Sequence, residues 1–128
     1  MAVAYHINHE QGLVTLSGSD TVDIDDARDL GRAVLQDAKM DPKLPHLIDL
    51  RGLSVTRTTA QARAFREFAI GEYAPKVQGS IAVVIDEALD EQSCAALYHM
   101  ICSIDRAELF DHYDQALKWL MRRVFLAS

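Results

Sequence analysis

Hydrophobic and polar positions along the chain follow two periods, which predict strands alternating with helices. A period of two marks the first two segments, which flank Gln11-Gly12 and predict an antiparallel hairpin. Short apolar runs without polar alternation mark the next strands, and this pattern is typical of a strand buried on both faces. The predicted strands cover residues 4–10, 13–17, 47–50, 80–85 and 106–110.

Apolar residues spaced by three and four positions predict four amphipathic helices. The first follows an aspartate-rich stretch and runs to about Met40. Its five aspartates between residues 20 and 29 lack the spacing of a calcium loop, so we interpret them as a helix start. The second helix covers residues 59–76 and contains Gly71, where we expect it to end or bend. The third and fourth helices cover residues 90–104 and 113–124, and Asp111 caps the fourth.

The resulting order ββαβαβαβα predicts an α/β fold with a single-layer, mixed sheet. We expect about five mostly parallel strands and about four helices, with the hairpin as an antiparallel edge. The 128 residues contain no linker or repeat, so we predict one domain over residues 1–128. Residues 47–50 should lie inside the sheet and residues 106–110 at its edge.

Charge and composition exclude several classes of function. The formal net charge is −6 and the basic residues are scattered, which argues against a nucleic-acid partner. The longest uncharged segment, residues 92–104, is shorter than the roughly 20 residues that span a bilayer, so we expect no membrane span. The chain does not open on a leader pattern, which favours the cytoplasm. Cys94 and Cys102 lie too far apart on one helix to bond, and we interpret both as reduced core thiols.

Polar residues after the strand at residues 47–50 are the first candidates for a site. In open α/β sheets, ligands bind beyond the carboxyl ends of the strands, where the strand order reverses. Arg51 could hold a phosphate or carboxylate with two parallel hydrogen bonds, or it could form a structural ion pair with Asp49 or Glu87. The candidate residues for a small anionic metabolite or lipid are Asp49, Arg51, Ser54, Thr56 and Arg57.

No pattern in the chain indicates an enzyme. The sequence has no nucleophile elbow, phosphate-binding loop or zinc-protease motif. Its histidines are dispersed, so we predict no metal and no cofactor; they are His6, His9, His46, His99 and His112. Trp119 falls off the apolar stripe of the last helix, which predicts a contact with the sheet margin or with a partner such as a second copy of the chain.

Four local patterns occur in an order typical of one known family. They are Gly18 before an acid-rich helix start, the strand ending Asp49-Leu50-Arg51, the strand at residues 81–85, and Phe110 followed by Ala116 and Trp119-Leu120. Over nearly its whole length, the chain resembles the SpoIIAA-like branch of the STAS superfamily (sulfate transporter and anti-sigma factor antagonist). The relationship of this superfamily to SEC14-type lipid-binding domains has been noted.

The resemblance implies a regulator that binds a protein partner rather than an enzyme. Anti-sigma-factor antagonists carry a phosphorylatable hydroxyl at the N-terminus of the helix after the third strand, where they dock on a kinase that is also an anti-sigma factor. In this chain Thr58 stands at that place and Thr59 follows it, and a helix N-terminus stabilises an added phosphate. The chain departs from the family pattern at three points. Arg57 stands where the family has an acidic residue, Ala60 stands where it has a glycine, and threonine replaces the usual serine. Helix capping is the alternative role for these hydroxyls.

Overall fold

A computed structural model places five strands in one sheet between two layers of helices, and it describes residues 2–19, 24–51, 59–86 and 91–127. The strands are β1 (Ala2–Asn8), β2 (Leu13–Ser19), β3 (His46–Asp49), β4 (Ile81–Val84) and β5 (Ala107–Phe110). The α-helices are α1 (Ile24–Gln36), α2 (Thr59–Phe68), α3 (Glu91–Cys102) and α4 (Tyr113–Ala127). A π-helical turn (Ala69–Tyr73) and a 3-10 turn (Ala74–Lys76) extend α2. The predicted element order and fold class are confirmed.

The sheet has the strand order β1-β2-β3-β4-β5. β1 runs antiparallel to β2, and the remaining neighbours are parallel. β3 is therefore the middle strand, as predicted, and Ile48 lies between Leu16 of β2 and Val83 of β4. The sequence predicts a ligand site where the strand order reverses. This premise is wrong, because the five strands follow one another across the sheet in a single direction.

This single direction determines how the helices are distributed. Parallel strands are joined by right-handed crossovers, so successive steps in one direction put the connecting helices on one face of the sheet. Phe68 of α2 and Ile101 of α3 pack in one core with Val83, and Val34 of α1 packs beside them against β2. We call this side the α1–α3 face. The opposite side, covered by α4 across β3, β4 and β5, is the α4 face.

Helix α1 ends at Gln36, four residues before the predicted end at Met40. The side chain of Asp37 accounts for the difference. One carboxylate oxygen accepts a hydrogen bond from the Lys39 backbone N–H at 2.8 Å, and the other accepts one from the Tyr5 hydroxyl at 2.7 Å. An aspartate that bonds the backbone two residues ahead stabilises a turn at the expense of a continuing helix.

Two side-chain predictions for the helices have different outcomes. Cys94 is half-buried against the core, but Cys102 is exposed, so its prediction as a core thiol is wrong. Leu97, Met100 and Ile101 form the buried face of α3, and Cys102 lies outside that face. Trp119 is half-buried, and its ring centroid lies 5.6 Å from that of Phe110, so it covers the sheet margin at β5.

Gly79 lies where two loops cross at the amino ends of β3 and β4. Its backbone N–H and that of Gln78 both donate to the Pro42 carbonyl, at 3.2 and 2.7 Å. A methyl group at Gly79 would stand 2.6 Å from the Leu44 carbonyl carbon and 2.8 Å from the Pro45 nitrogen. Both are backbone atoms, which cannot turn aside as a flexible side chain would.

We therefore expect Gly79→Ala to lower the free energy of unfolding by about 2–3 kcal/mol, the scale of other overpacking substitutions. Gly71→Ala is the matched control, because a methyl group there would meet no atom within 4 Å and alanine is the better helix former. Urea unfolding at neutral pH measures both variants. Equal stabilities for the two variants would contradict the crossing of the loops.

Candidate functional site

The Asp49–Arg51 pair at the carboxyl end of β3 is the part of the predicted site that the structure describes best. Arg51 donates from Nε to Asp49 Oδ1 at 2.9 Å and from Nη2 to Oδ2 at 2.7 Å. Its guanidinium carbon also lies 5.2 Å from the ring centroid of Tyr113 on α4. Side chains alternate along β3, and Asp49 shares the side of Leu47, so this pair belongs to the α4 face.

The pair fits the structural alternative better than an anion clamp. The hydrogen bonds to Asp49 raise the pKa of Arg51, and Asp86 adds to this effect. Asp49 occupies the Nε–Nη2 edge of the guanidinium and neutralises its charge, which weakens the attraction of the remaining donors for an anion. The open surface beside Arg51 also includes Asp114, whose negative charge would oppose an anion.

The remaining predicted site residues belong to the segment after β3 and to the start of α2. Ser54, Thr56, Arg57 and Thr58 lie outside the described residues. Thr59 is the first residue of α2, in agreement with the predicted start of that helix. Their predicted roles as ligand-binding residues or phosphate acceptors stay predictions.

A separate cavity of about 70 Å³ lies on the α1–α3 face. Its walls come from β2, β3, β4 and from the helices that cover them, and it reaches the carboxyl ends of β2 and β3 at Ser17 and Leu50. It is partly open to solvent. The apolar lining includes Leu16, Leu30, Ile48, Phe65, Phe68, Val83, Met100, Ile101 and Ile104.

Charge is nearly absent from this cavity. The described lining residues include no lysine or arginine, and the acidic one is Asp49, which gives its carboxylate to Arg51 on the α4 face. The other polar residues along the lining are Ser17 and Tyr73. The cavity therefore suits an uncharged, largely apolar group.

The π-helical turn after α2 forms one wall of the cavity through Ala69 and Tyr73. π-Helical turns are rare and occur frequently at functional sites. Gly71 lies within this turn, so the predicted irregularity of the helix at that residue is confirmed.

Helix α1 approaches this wall closely at Gly31. A methyl group there would stand 2.9 Å from two ring carbons of Phe68. One residue further, Arg32 bonds Glu72 of the π-helical turn at 3.0 Å and lies 5.4 Å from the Phe68 ring centroid. This exposed ion pair contributes at most about 1 kcal/mol, but it joins α1 to the far wall of the cavity.

His46 and Tyr73 form a buried hydrogen-bonded pair next to the cavity. The His46 side chain is fully buried at the start of β3, and its Nδ1 is hydrogen-bonded to the Tyr73 hydroxyl. The two rings meet edge to face, with their centroids 5.5 Å apart. Tyr73 lines the cavity, whereas His46 lies behind it, so the pair connects the cavity wall to the middle strand.

Burial keeps both members of the pair neutral. It lowers the pKa of His46 to about 4 and raises the pKa of Tyr73 far above the physiological range. The Nε2 atom of His46 has no hydrogen-bond partner among the described residues. An unsatisfied buried polar atom costs roughly 1–3 kcal/mol, so it needs an explanation.

Sequence reasoning missed this pair because it treated His46 as one of five dispersed histidines. One available signal was the position of His46 directly before an apolar strand, where burial is expected. The spacing of Phe65, Phe68, Ala69 and Tyr73 predicts an apolar stripe on this helix, and Tyr73 is buried as that pattern predicts. The separation of 27 residues between the two side chains leaves no local pattern that joins them.

The described residues hold no cluster of three or more His, Cys, Asp or Glu side chains that could bind a metal ion. Among the helices described, none is both long and apolar enough to cross a bilayer.

The buried His46 predicts a dependence of stability on pH. Its pKa is near 6.5 when exposed and about 4 in the folded protein, so the unfolded chain binds more protons between these values. The neutral histidine contributes fully to the free energy of unfolding above about pH 6.5, and this contribution is lost as the pH falls to 4. The shift corresponds to about 3 kcal/mol.

We expect wild-type protein to lose about 3 kcal/mol more stability than His46→Gln between pH 7 and pH 4, because glutamine does not titrate. Urea unfolding at both pH values measures the difference. His99→Gln is the control, since it removes an exposed histidine on α3 and leaves His46 in place, so the loss of stability due to His46 should persist. The same pH dependence in His46→Gln as in wild type would contradict the burial of a neutral histidine.

Comparison with known proteins does not assign the chain to a family. No protein-family model matches the sequence, and no curated protein matches it at a significant level. The candidate site therefore rests on the geometry described above.

Proposed function

We propose that this chain is a non-enzymatic binding domain whose cavity on the α1–α3 face holds a small apolar ligand or the apolar end of a longer one. The observation that carries this proposal is the uncharged cavity of about 70 Å³ inside an otherwise packed core. Protein interiors are close-packed, and voids larger than a water molecule are few.

The cavity has an energetic cost that a ligand would offset. At about 24 cal/mol per Å³, an enclosed empty space of this size would destabilise the fold by about 2 kcal/mol, and this is an upper limit for a cavity that is partly open to solvent. Its volume is roughly half the 150 Å³ of an apolar cavity that binds benzene. A short alkyl segment therefore fits it better than an aromatic ring, and a longer ligand would continue through the opening to solvent.

The position of the cavity also supports this function. It reaches the carboxyl ends of β2 and β3 at Ser17 and Leu50, so a ligand longer than the cavity could extend past this edge of the sheet. Arg51 lies on the opposite face of the sheet, so the proposed ligand makes its contacts with apolar side chains rather than with the predicted anion-binding residues.

Xenon tests the cavity directly, because it is a small apolar probe. In methyl NMR spectra, we expect xenon to shift the resonances of Ile48 and Ile101 in wild-type protein. Ala27→Leu should abolish these shifts, since Ala27 lines the cavity and the larger side chain fills it. Ala33→Leu is the control on the exposed side of α1 and should respond as wild type does.

Native mass spectrometry of the purified protein then tests for a natural ligand. We expect wild type and Ala33→Leu to retain a non-covalent mass that Ala27→Leu lacks. Methyl resonances that do not respond to xenon in the wild-type protein would overturn the proposal.

A second proposed function follows from the family resemblance, and the start of α2 at Thr59 favours it. In this proposal the chain is a cytoplasmic regulator that docks on a kinase or an anti-sigma-like protein, and phosphorylation at Thr58 or Thr59 controls docking. A phosphate at the first turn of a helix is stabilised by the exposed N–H groups and the helix dipole.

Intact-mass analysis after incubation with candidate kinases tests this second function. We expect a gain of one phosphate in wild type and none in the Thr58→Ala/Thr59→Ala double variant. Thr15→Ala is the control, because Thr15 lies on β2 and its loss should leave the gain of one phosphate unchanged. No mass gain in wild type, together with no captured partner, would count against phospho-regulation.

A further inference from the structure

The outer edge of β1 carries backbone groups that can bond another strand. Val14 of β2 donates its backbone N–H to the Pro45 carbonyl at 2.9 Å, on the side of β3, so its backbone groups point away from β1. Ile7 lies directly opposite Val14 in the hairpin, and Tyr5 lies opposite Leu16, two residues further along. These are therefore non-hydrogen-bonded pairs, in which both residues direct their N–H and C=O away from each other. Among the described strands, none lies beside this edge, so the backbone groups of Tyr5 and Ile7 face outward.

The two edges of the sheet differ in how they are protected. Native edge strands are commonly short or carry charged side chains or proline, which hinder pairing with another chain. β5 follows this rule, because it has 4 residues and exposes Glu108. β1 has 7 residues and contains no acidic residue, lysine, arginine, proline or glycine. It is therefore the edge of the sheet that lacks these protections.

A second copy of the chain matches this edge in register and in charge. When two copies pair antiparallel about Tyr5, this residue lies opposite its own copy, and Ile7 lies opposite Val3 of the second copy. All three residues direct their backbone groups outward, so each pair can exchange both of its N–H···O bonds. The exposed His6 lies opposite Ala4 of the second copy, so no like charges meet although each chain has a net charge of −6.

We propose that β1 is a dimerisation edge, at which two copies of the chain join their sheets into one continuous sheet by antiparallel β1–β1 pairing. The outward N–H and C=O groups require a strand as the partner, and a second copy supplies one that is complementary in register. The two-fold axis stands normal to the sheet, so the α1–α3 faces of both copies lie on the same side. Tyr5 and Ile7 are half-buried against α1, and their remaining surface meets the same residues across the axis.

Lysines on the exposed side of β1 test this edge. Ala4 and His6 are exposed, so substituting both should leave the fold intact, whereas in the dimer the introduced lysines would lie directly opposite each other. We expect Ala4→Lys/His6→Lys to raise the dimer dissociation constant about tenfold or more in analytical ultracentrifugation. Ala95→Lys/Ala96→Lys is the matched control. Both alanines are exposed on α3, which packs beside β5 at the other edge, so this variant should dimerise as wild type does.

A mixture of oppositely charged variants separates loss of pairing from loss of folding. We expect Ala4→Glu/His6→Glu alone to dimerise as poorly as the lysine variant, because its carboxylates also oppose each other. An equimolar mixture of the two variants should form a heterodimer, since each lysine then faces a glutamate. Variants that stay monomeric in this mixture would overturn the pairing of two β1 edges.

Hydrogen exchange identifies the bonded groups without relying on a variant that dimerises. In wild-type protein at millimolar concentration, we expect the amides of Tyr5 and Ile7 to be protected, as those that face β2 are. In Ala4→Lys/His6→Lys the same two amides should exchange freely. A wild-type protein that is monomeric at millimolar concentration would overturn the proposal. A dimer that the lysine substitutions leave unchanged, or one in which the Tyr5 and Ile7 amides exchange freely, would do so as well.

Discussion

The hydrogen bonding of β3 to a parallel strand on each side is the constraint on which the rest of this structure depends. A strand fixed on both edges cannot slip without moving every side chain to the opposite face. The register therefore commits His46 and Ile48 to the α1–α3 face, and Leu47 and Asp49 to the α4 face. This alternation separates two features that are close in sequence. The ion pair of Asp49 belongs to one layer of the protein and the cavity to the other, so they cannot act as one site.

The unidirectional strand order explains why the cavity lies where it does. Three crossover helices share the α1–α3 face, whereas a single helix covers most of the other. Filling the first face requires side chains from all three helices to meet over β2, β3 and β4. The close approach of α1 at Gly31 and the π-helical turn at residues 69–73 are local departures from regular helix packing at this meeting point. Since the strand order has no reversal, the cavity arises from helix packing rather than from a crevice between crossovers of opposite direction.

The fold could be predicted from the sequence because its signals are local. The apolar run at β4 and the spaced apolar residues of α4 identify buried strand and amphipathic helix without knowledge of their partners. Several of the differences involve contacts between distant residues. Helix α1 stops early at Asp37, whose carboxylate accepts from the Lys39 N–H in a local turn and also from the hydroxyl of Tyr5, which lies 32 residues away. The pairing of His46 with Tyr73 spans the whole of α2, and the absence of a strand reversal follows from pairing that no single segment encodes. The cavity depends on how three helices fit together, and periodicity contains no measure of the space they leave.

The two faces of the sheet also provide an internal comparison that bears on the meaning of the cavity. On the α4 face, Leu47, Val84 and Leu120 are completely shielded from solvent, and the small residues Ala82 and Ala116 allow α4 to lie directly on the strands. The same strands therefore accept tight packing. On the α1–α3 face, the chain instead retains an uncharged space, a histidine with an unpaired nitrogen and an irregular helical turn, all within one region. Each feature costs free energy, and large apolar residues in place of His46 and Ala27 would remove much of that cost. Because destabilising features concentrated at one place are typical of functional sites, this region is a better candidate for the proposed ligand site than the ion pair of Asp49.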